Sequence, residues 1–417
     1  MSTPEIRFEG FEGEWKAEVF EQVFSFLGTN TLSRANLNYQ SGIAKNVHYG
    51  DVLTFLQDVT YVDSANLPFI SDAVLAEKYK HNKLQNGDII IADTAEDETV
   101  GKATEIQNVD ELPIYSGLHT FACRPYKKFT PGYLGHYFNS EQYHGQIVSK
   151  AQGTKVSSIS KSQLQETLIS FPIHEEQLKV SNLFGSIDGL IETTRKSSLQ
   201  LKALKKSMLV KMFPQDGASV PEIRFEGFTG NWELKTIENI AAKTLGGGTP
   251  ATSHAEYWNG DIPWIQSSDL SGDSIENPII RKRVSETGIK NSATMLIPEN
   301  SIAVVTRVGV GKVSMMLEPY ATSQDFISLA DIKGNLRFIT IAVKQTVQAS
   351  LSQLQGSTIK GITRDELLSK KLRVPSTEEQ TAISSYFRQL DKLIELEEAK
   401  LAKLTQLKTA FLSKMFV

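Results

Sequence analysis

One stretch of 39 residues occurs twice in this chain of 417, at 175–213 and again, without a gap, at 378–416. Sixteen positions are identical between the copies, among them Glu175/Glu378, Gln177/Gln380, Phe184/Phe387, Asp188/Asp391, Ile191/Ile394 and the closing Lys211-Met212-Phe213/Lys414-Met415-Phe416. Neither copy contains proline, each follows one (Pro172, Pro375), and a glutamate pair opens each where the helix dipole favours negative charge. Rows stepping by four and three residues, starting at Val180 and at Ile383, are apolar at seven and eight of ten positions. The spacing predicts two unbroken helices, each a rod of roughly 58 Å. An apolar row of that length requires a helical partner. Two self-complementary copies satisfy one another when packed antiparallel along most of their length, burying Phe184, Ile187, Ile191 and Leu201 of one and Phe387, Leu390, Ile394 and Leu404 of the other.

The repeat extends beyond the rods. Pro4-Glu5-Ile6-Arg7-Phe8-Glu9-Gly10-Phe11, followed by Trp15, returns as Pro221-Glu222-Ile223-Arg224-Phe225-Glu226-Gly227-Phe228, followed by Trp232. Between opening phrase and rod lies a variable block rich in short β-type runs, with helical pieces at 131–144 and 336–354. The expected division is a first mixed domain at 1–170, a spacer helix at 171–214, a polar linker at 215–220, a second mixed domain at 221–374 and a second spacer helix at 375–417.

Several function classes are excluded by what is missing. No run of eighteen apolar residues exists and the N-terminus has no basic and apolar leader, so a cytoplasmic protein is expected, with no membrane partner. A single cysteine, Cys123, leaves no disulfide framework or thiolate metal site, and the seven histidines show no metal-ligand spacing. Gly309-Val310-Gly311-Lys312 lacks the glycine and hydroxyl of a phosphate loop, Thr306 and Val313 standing in their places. No two prolines are adjacent, which removes the Asx-Pro-Pro-aromatic loop of adenine methyltransferases. No catalytic residue, resident metal or cofactor is therefore expected. Net charge is −7 over residues 1–170 and +1 over 218–374, so any contact with phosphate must come from locally placed cations.

Binding remains. The loops of the two blocks carry residue types suited to DNA: Arg and Lys for guanine edges and phosphates, Asn and Gln for adenine, Ser and Thr for phosphate oxygens. In the first block the candidates are Thr94, Lys102, His119, Arg124, Lys155, Ser157 and Lys161. In the second they are Gln266, Ser267, Ser268, Asp269, Arg307, Lys312, Gln324, Asp325, Lys360 and Arg364. They recur in step: an apolar run precedes Gly101-Lys102 and another precedes Gly311-Lys312, and a hydroxyl-rich cationic loop follows each, at 153–161 and 356–364.

Gly247-Gly248-Thr249-Pro250, Glu256-Tyr257-Trp258-Asn259-Gly260-Asp261-Ile262-Pro263-Trp264-Ile265, Ser267-Ser268-Asp269-Leu270, Thr306-Arg307 to Gly311-Lys312 and Ser323-Gln324-Asp325 resemble the target-recognition domain of the specificity (S) subunit, HsdS, of type I restriction-modification systems. The first block keeps only Tyr49-Gly50-Asp51, Asn86-Gly87-Asp88 and Gly101-Lys102 as landmarks. The resemblance implies an α+β chain: two mixed α/β target-recognition domains separated by two long antiparallel coiled-coil helices, as a pseudo-twofold internal repeat. It implies a non-catalytic subunit whose domains each read one half of an interrupted double-stranded DNA target, while the helices set the spacing. Its implied partners are two modification subunits that use S-adenosylmethionine, and restriction subunits that use ATP and Mg. Two other readings are compatible with the residues alone: a stand-alone sequence-specific DNA-binding protein, and a coiled-coil adaptor for protein assembly.

Overall fold

The computed structural model describes residues 3–109, 111–153, 155–215, 217–352 and 361–417. Two compact units emerge, one formed by Met1–Ser197 with Glu397–Val417, the other by Ser198–Leu396, so the division falls within each rod.

In the first unit, Lys16–Val19 pairs antiparallel with Leu168–Phe171, tying the start of the block to the residues just before the rod. The block carries a five-stranded sheet in the order Phe24–Leu27, Thr120–Pro125, Ile89–Ala92, Ala103–Gln107, Val59–Tyr61, and a four-stranded sheet in which Ile114–Ser116 lies parallel to Ala44–Val47. Ile89, Ile90 and Ile91 are fully buried, as expected of a central strand apolar on both faces. The second unit repeats the plan. Glu233–Thr236 pairs with Lys371–Val374, a four-stranded sheet runs Ala241–Gly246, Phe326–Ile332, Ser301–Val305, Val313–Met316, and Ala321–Thr322 lies parallel to Ile262–Ile265.

Each rod is one helix of 38 residues, His174–Lys211 and Thr377–Lys414. The duplicated residues at their starts do matching work. Gln177 and Gln380 donate from Nε2 to the carbonyls of Pro172 (3.0 Å) and Pro375 (2.9 Å). Glu176 receives Arg7 of the first opening phrase in a two-pronged pair at 2.8 Å, and Glu379 receives Arg224 of the second at 2.7 and 2.6 Å. The opening phrases also touch a rod end, Ile6 N donating to Lys414 O in one unit and Ile223 N to Lys211 O in the other, each at 2.9 Å.

Within each unit the rod segments run antiparallel. In the first, Phe184 stacks on Phe416 at 5.5 Å while Asp188 pairs with Lys408; in the second, Phe213 lies 6.3 Å from Phe387 while Lys205 pairs with Asp391. Of the expected seam, Phe184, Ile187, Ile191, Phe387, Leu390 and Ile394 are buried, but Leu201 and Leu404 are only half-buried. The polar residues Thr194 and Ser198, on the same row, are buried instead. The helix expected at 131–144 is two, Tyr133–Phe138 and Glu141–Lys150. Ser140 breaks it by turning its backbone extended and accepting a hydrogen bond from Tyr143 N, starting a new helix as an N-cap.

Candidate nucleic-acid interface

In the second unit the buried strand Ser301–Val305 delivers Thr306 to the end of the sheet, where a tight loop turns back to Lys312. Gly309 and Gly311 take φ of 82° and 96°, the left-handed conformation that lets so short a loop close. Three backbone bonds assemble the site around Thr306: its N–H donates to Asp325 O (2.8 Å), Ile362 N donates to its carbonyl (2.7 Å), and Val305 N donates to Lys312 O (2.9 Å). Ser323 N donates to Ile265 O at 3.0 Å, bringing the segment Gln266–Asp269 alongside. Lys312 Nζ then donates to Ser267 O at 2.9 Å, and Gln324 Oε1 accepts from Thr249 Oγ1 at 2.8 Å. Gln266, Ser267, Ser268, Asp269, Arg307, Lys312, Gln324 and Asp325 thus meet at one sheet end. The Arg307 side chain is exposed with no ion-pair partner among the described residues.

Not all of these residues face outward. Asp269 is buried: one oxygen caps Gln266 N at 2.9 Å and the other pairs with Arg281, so it shapes the loop rather than presenting a carboxylate. Asp325 accepts from Ser323 Oγ at 3.3 Å. Arg364 opens the short helix Arg364–Ser369, capped by Thr363, and donates to Thr244 Oγ1. Lys360 lies outside the described residues.

The first unit builds the same frame from dissimilar residues. Asp93 N donates to His119 O (3.2 Å), Ile159 N to Asp93 O (2.9 Å), Ala92 N to Lys102 O (2.9 Å) and Gly117 N to Val47 O (2.7 Å). These four bonds match the four above one for one, so Thr94 occupies the place of Arg307, Lys102 of Lys312, His119 of Asp325 and Lys161 of Arg364. Thr94 Oγ1 donates to Ser157 O at 3.2 Å across the short strand pair they share. Lys102 donates to Leu53 O at 3.2 Å, and burial lowers its pKa below the ordinary lysine value. His119 sits at φ 53°, with Asp93 3.3 Å from its Nδ1. Burial raises the Asp93 pKa, and the imidazole opposes that rise. Lys155 is exposed, and Lys161 Nζ lies 4.3 Å over the Phe26 ring.

Arg124 stands apart from this group. It is on the strand Thr120–Pro125 toward the end away from His119, where its fork holds Asp88 at 2.8 and 2.7 Å. The frame also gives the landmark Tyr49-Gly50-Asp51 its counterpart and adds His48 to it. His48-Tyr49-Gly50-Asp51 matches Gln266-Ser267-Ser268-Asp269, because Asp51 caps His48 N at 2.9 Å as Asp269 caps Gln266 N. The signal was present as the shared aspartate four residues beyond Val47 and Ile265, within the landmark Tyr49-Gly50-Asp51, but His48 resembles Gln266 too little to extend the match.

The family described as "Type I restriction modification DNA specificity domain" matches residues 229–406. The proposed MjaX type I restriction enzyme specificity subunit of Methanocaldococcus jannaschii is 25% identical over 349 residues, covering 81% of this chain and 79% of its own length. The chain is thus similar, over its second block and most of its second rod, to type I restriction-modification DNA specificity domains, and over most of its length to a type I restriction enzyme specificity subunit. Another specificity subunit, that of Escherichia coli EcoR124I/EcoR124II, is 30% identical over 172 residues, which is 39% of this chain and 42% of that one. Among solved structures, the type I restriction-modification S subunit from M. genitalium superposes with a TM-score of 0.59 at 15% identity over 100% of this chain and 99% of that one. At that identity the likeness speaks for the fold: a specificity-subunit architecture with two mixed domains and long helices.

Proposed function

We propose that this chain is the DNA sequence-recognition subunit of a type I restriction-modification complex, each block reading one half of a two-part target. The observation that carries this is the repeated frame: two blocks with little sequence in common set different polar side chains on the same backbone scaffold. A scaffold that stays while its side chains change is what two readers of different half-sequences need. The relatives' names place them in restriction enzymes, and this chain's part is reading, without chemistry of its own. Methylation of adenine from S-adenosylmethionine and ATP- and Mg-dependent cleavage belong, on this reading, to modification and restriction subunits that dock on it. The fit to a family of specificity subunits favours it over a stand-alone regulator or an adaptor.

Exchanging residues 221–374 for the matching block of a relative, in cells carrying the modification subunit, should change one half of the methylated motif and leave the other intact. Methylome sequencing reads both halves. A swap that altered both together would sink the two-reader scheme. Within the retained scaffold, Arg307→Ala should lower binding of the preferred sequence by about 1–3 kcal/mol and relax one base position, measured by competition with single-base variants.

A further inference from the structure

Both recognition loops are held by a buried aspartate paired with an arginine, and the arginine arrives by different routes. Asp51 and Asp269 have side chains 0% and 1% exposed, whereas their partners Arg34 and Arg281 remain 44% and 48% exposed. Arg34 lies 17 residues before its aspartate, in the short turn Arg34–Asn36. Arg281 lies 12 residues after its own, beside the strand Lys282–Val284. Each reaches the third residue of its loop: Arg281 Nη1 donates to Ser268 O at 3.1 Å, and a Cβ on Gly50 would stand 3.3 Å from Arg34 Nη2. Two unrelated stretches of chain thus place a half-exposed guanidinium at the same point of the same frame.

We infer that Arg34 and Arg281 are specificity-determining residues, each presenting a guanidinium to a guanine edge in the half-target of its own domain, with Asp51 and Asp269 as positioning residues. The inference rests on the recognition role proposed above. Its physical basis is the pinning. Arg34 is anchored by Asp51, with Tyr39 Oη 3.3 Å from its Nη1, and Arg281 by Asp269 and Ser268 O. A guanidinium anchored at one nitrogen keeps further N–H donors on a restrained planar fork, and such a fork matches the O6 and N7 acceptors of guanine. The same fork can also grip two phosphate oxygens, and the two uses differ in whether one base position or all sequences depend on the arginine. The aspartate cannot swing to the DNA itself, because its other oxygen is committed to the cap on His48 N or Gln266 N.

The test is selection from a pool of randomised duplex DNA by the full chain co-purified with its modification subunit, followed by sequencing of bound duplexes. The unaltered chain should select a two-part sequence. Arg281→Ala should lower discrimination at a single position of one half by roughly ten- to a hundredfold, and Arg34→Ala should do so in the other half only. Arg281→Lys should not restore the preference, since an ammonium lacks the fork. Asp269→Asn, which keeps an oxygen for the cap, should blunt the same position as Arg281→Ala. Thermal melting establishes that each variant is folded. Uniform weakening of all sequences with a flatter salt dependence would make these arginines phosphate contacts and overturn the inference. Unchanged selection would reduce them to loop struts and overturn it equally. If the unaltered chain selects no two-part sequence, the recognition role itself fails and this inference falls with it.

Discussion

Phe184→Ala and Phe387→Ala will each lower the free energy of unfolding by about 3–5 kcal/mol, the range for truncating a large aromatic side chain in a close-packed core. Both rings are fully buried. Phe184 is enclosed by His136 at 4.9 Å and Phe416 at 5.5 Å, both stacked on it, and Phe387 by Phe213 at 6.3 Å and Tyr386 at 5.4 Å. The neighbours of Phe184 come from the block and from the other rod, so removing that ring loosens both attachments at once, whereas Phe387 meets the end of the other rod through Phe213. Urea unfolding followed by tryptophan fluorescence measures the loss, since Trp15 lies against Phe416 and Trp232 against Phe213. Leu201→Ala and Leu404→Ala are the contrast. Both are half-buried, so each should cost less than about 2 kcal/mol. Equal losses at all four positions would mean that the aromatic ends of the seam have no special part in its stability.

Lys408→Met will cost about 3–5 kcal/mol near neutral pH, and the deficit will shrink in acid. Lys408 Nζ stands 2.7 Å from Asp58 and 2.5 Å from Asp188, and Asp188 also meets His136 Nε2 at 2.8 Å. Ligand atoms of Asp58, His136 and Asp188 come within 4.8 Å of one another, but the ammonium already supplies the positive charge there. The second unit makes a matching node from other groups, in which Arg337 meets Asp391 and Glu276, and Lys205 meets Asp391 at 2.5 Å. Burial alone would lower the Lys408 pKa, yet the two aspartates raise it above the usual lysine value of 10.5. Burial alone would likewise raise that of Asp188, yet His136 and Lys408 hold it below 3.8.

The signs follow from these directions. A raised lysine adds stability that is complete below about pH 10 and is lost as pH climbs through its folded value. A depressed aspartate adds stability that is present above about pH 4 and is lost as pH falls through its folded value. Methionine at 408 leaves the carboxylates facing each other without the cation, a penalty that protonation removes. Plots of unfolding free energy against pH for the two proteins should therefore run apart at neutral pH and converge below about pH 4. A gap that persisted in acid would assign the loss to packing rather than to charge.

The rods were legible because duplication and a four-three apolar row are local signals, and the glutamates that open them proved to be anchors for Arg7 and Arg224 of the opening phrases. The seam was overextended at Leu201 and Leu404, where an apolar row on paper does not say which turns a neighbour covers. The second recognition loop could be read from its motifs. The first could be read only in part, through Tyr49-Gly50-Asp51, Gly101-Lys102 and candidates such as Thr94 and His119, because its frame is closed by backbone bonds between distant segments, such as Asp93 N to His119 O and Ile159 N to Asp93 O, which leave side-chain identity free. Arg34 and Arg281 escaped for a related reason: one precedes its aspartate and the other follows it, so no common spacing links them.

The way the chain is shared between the two units governs the order in which they can form during synthesis. The second unit is continuous, Ser198–Leu396, and has every residue it needs as soon as Leu396 has left the ribosome. The first begins at the amino end but closes its aromatic core with Phe416, which packs against Trp15, Tyr133, Tyr137 and Phe184. The half translated first is thus completed last. Until residues 397–417 arrive, that aromatic face stays open to water, and a nascent chain stalled in the second rod carries it as a ready surface for chaperones.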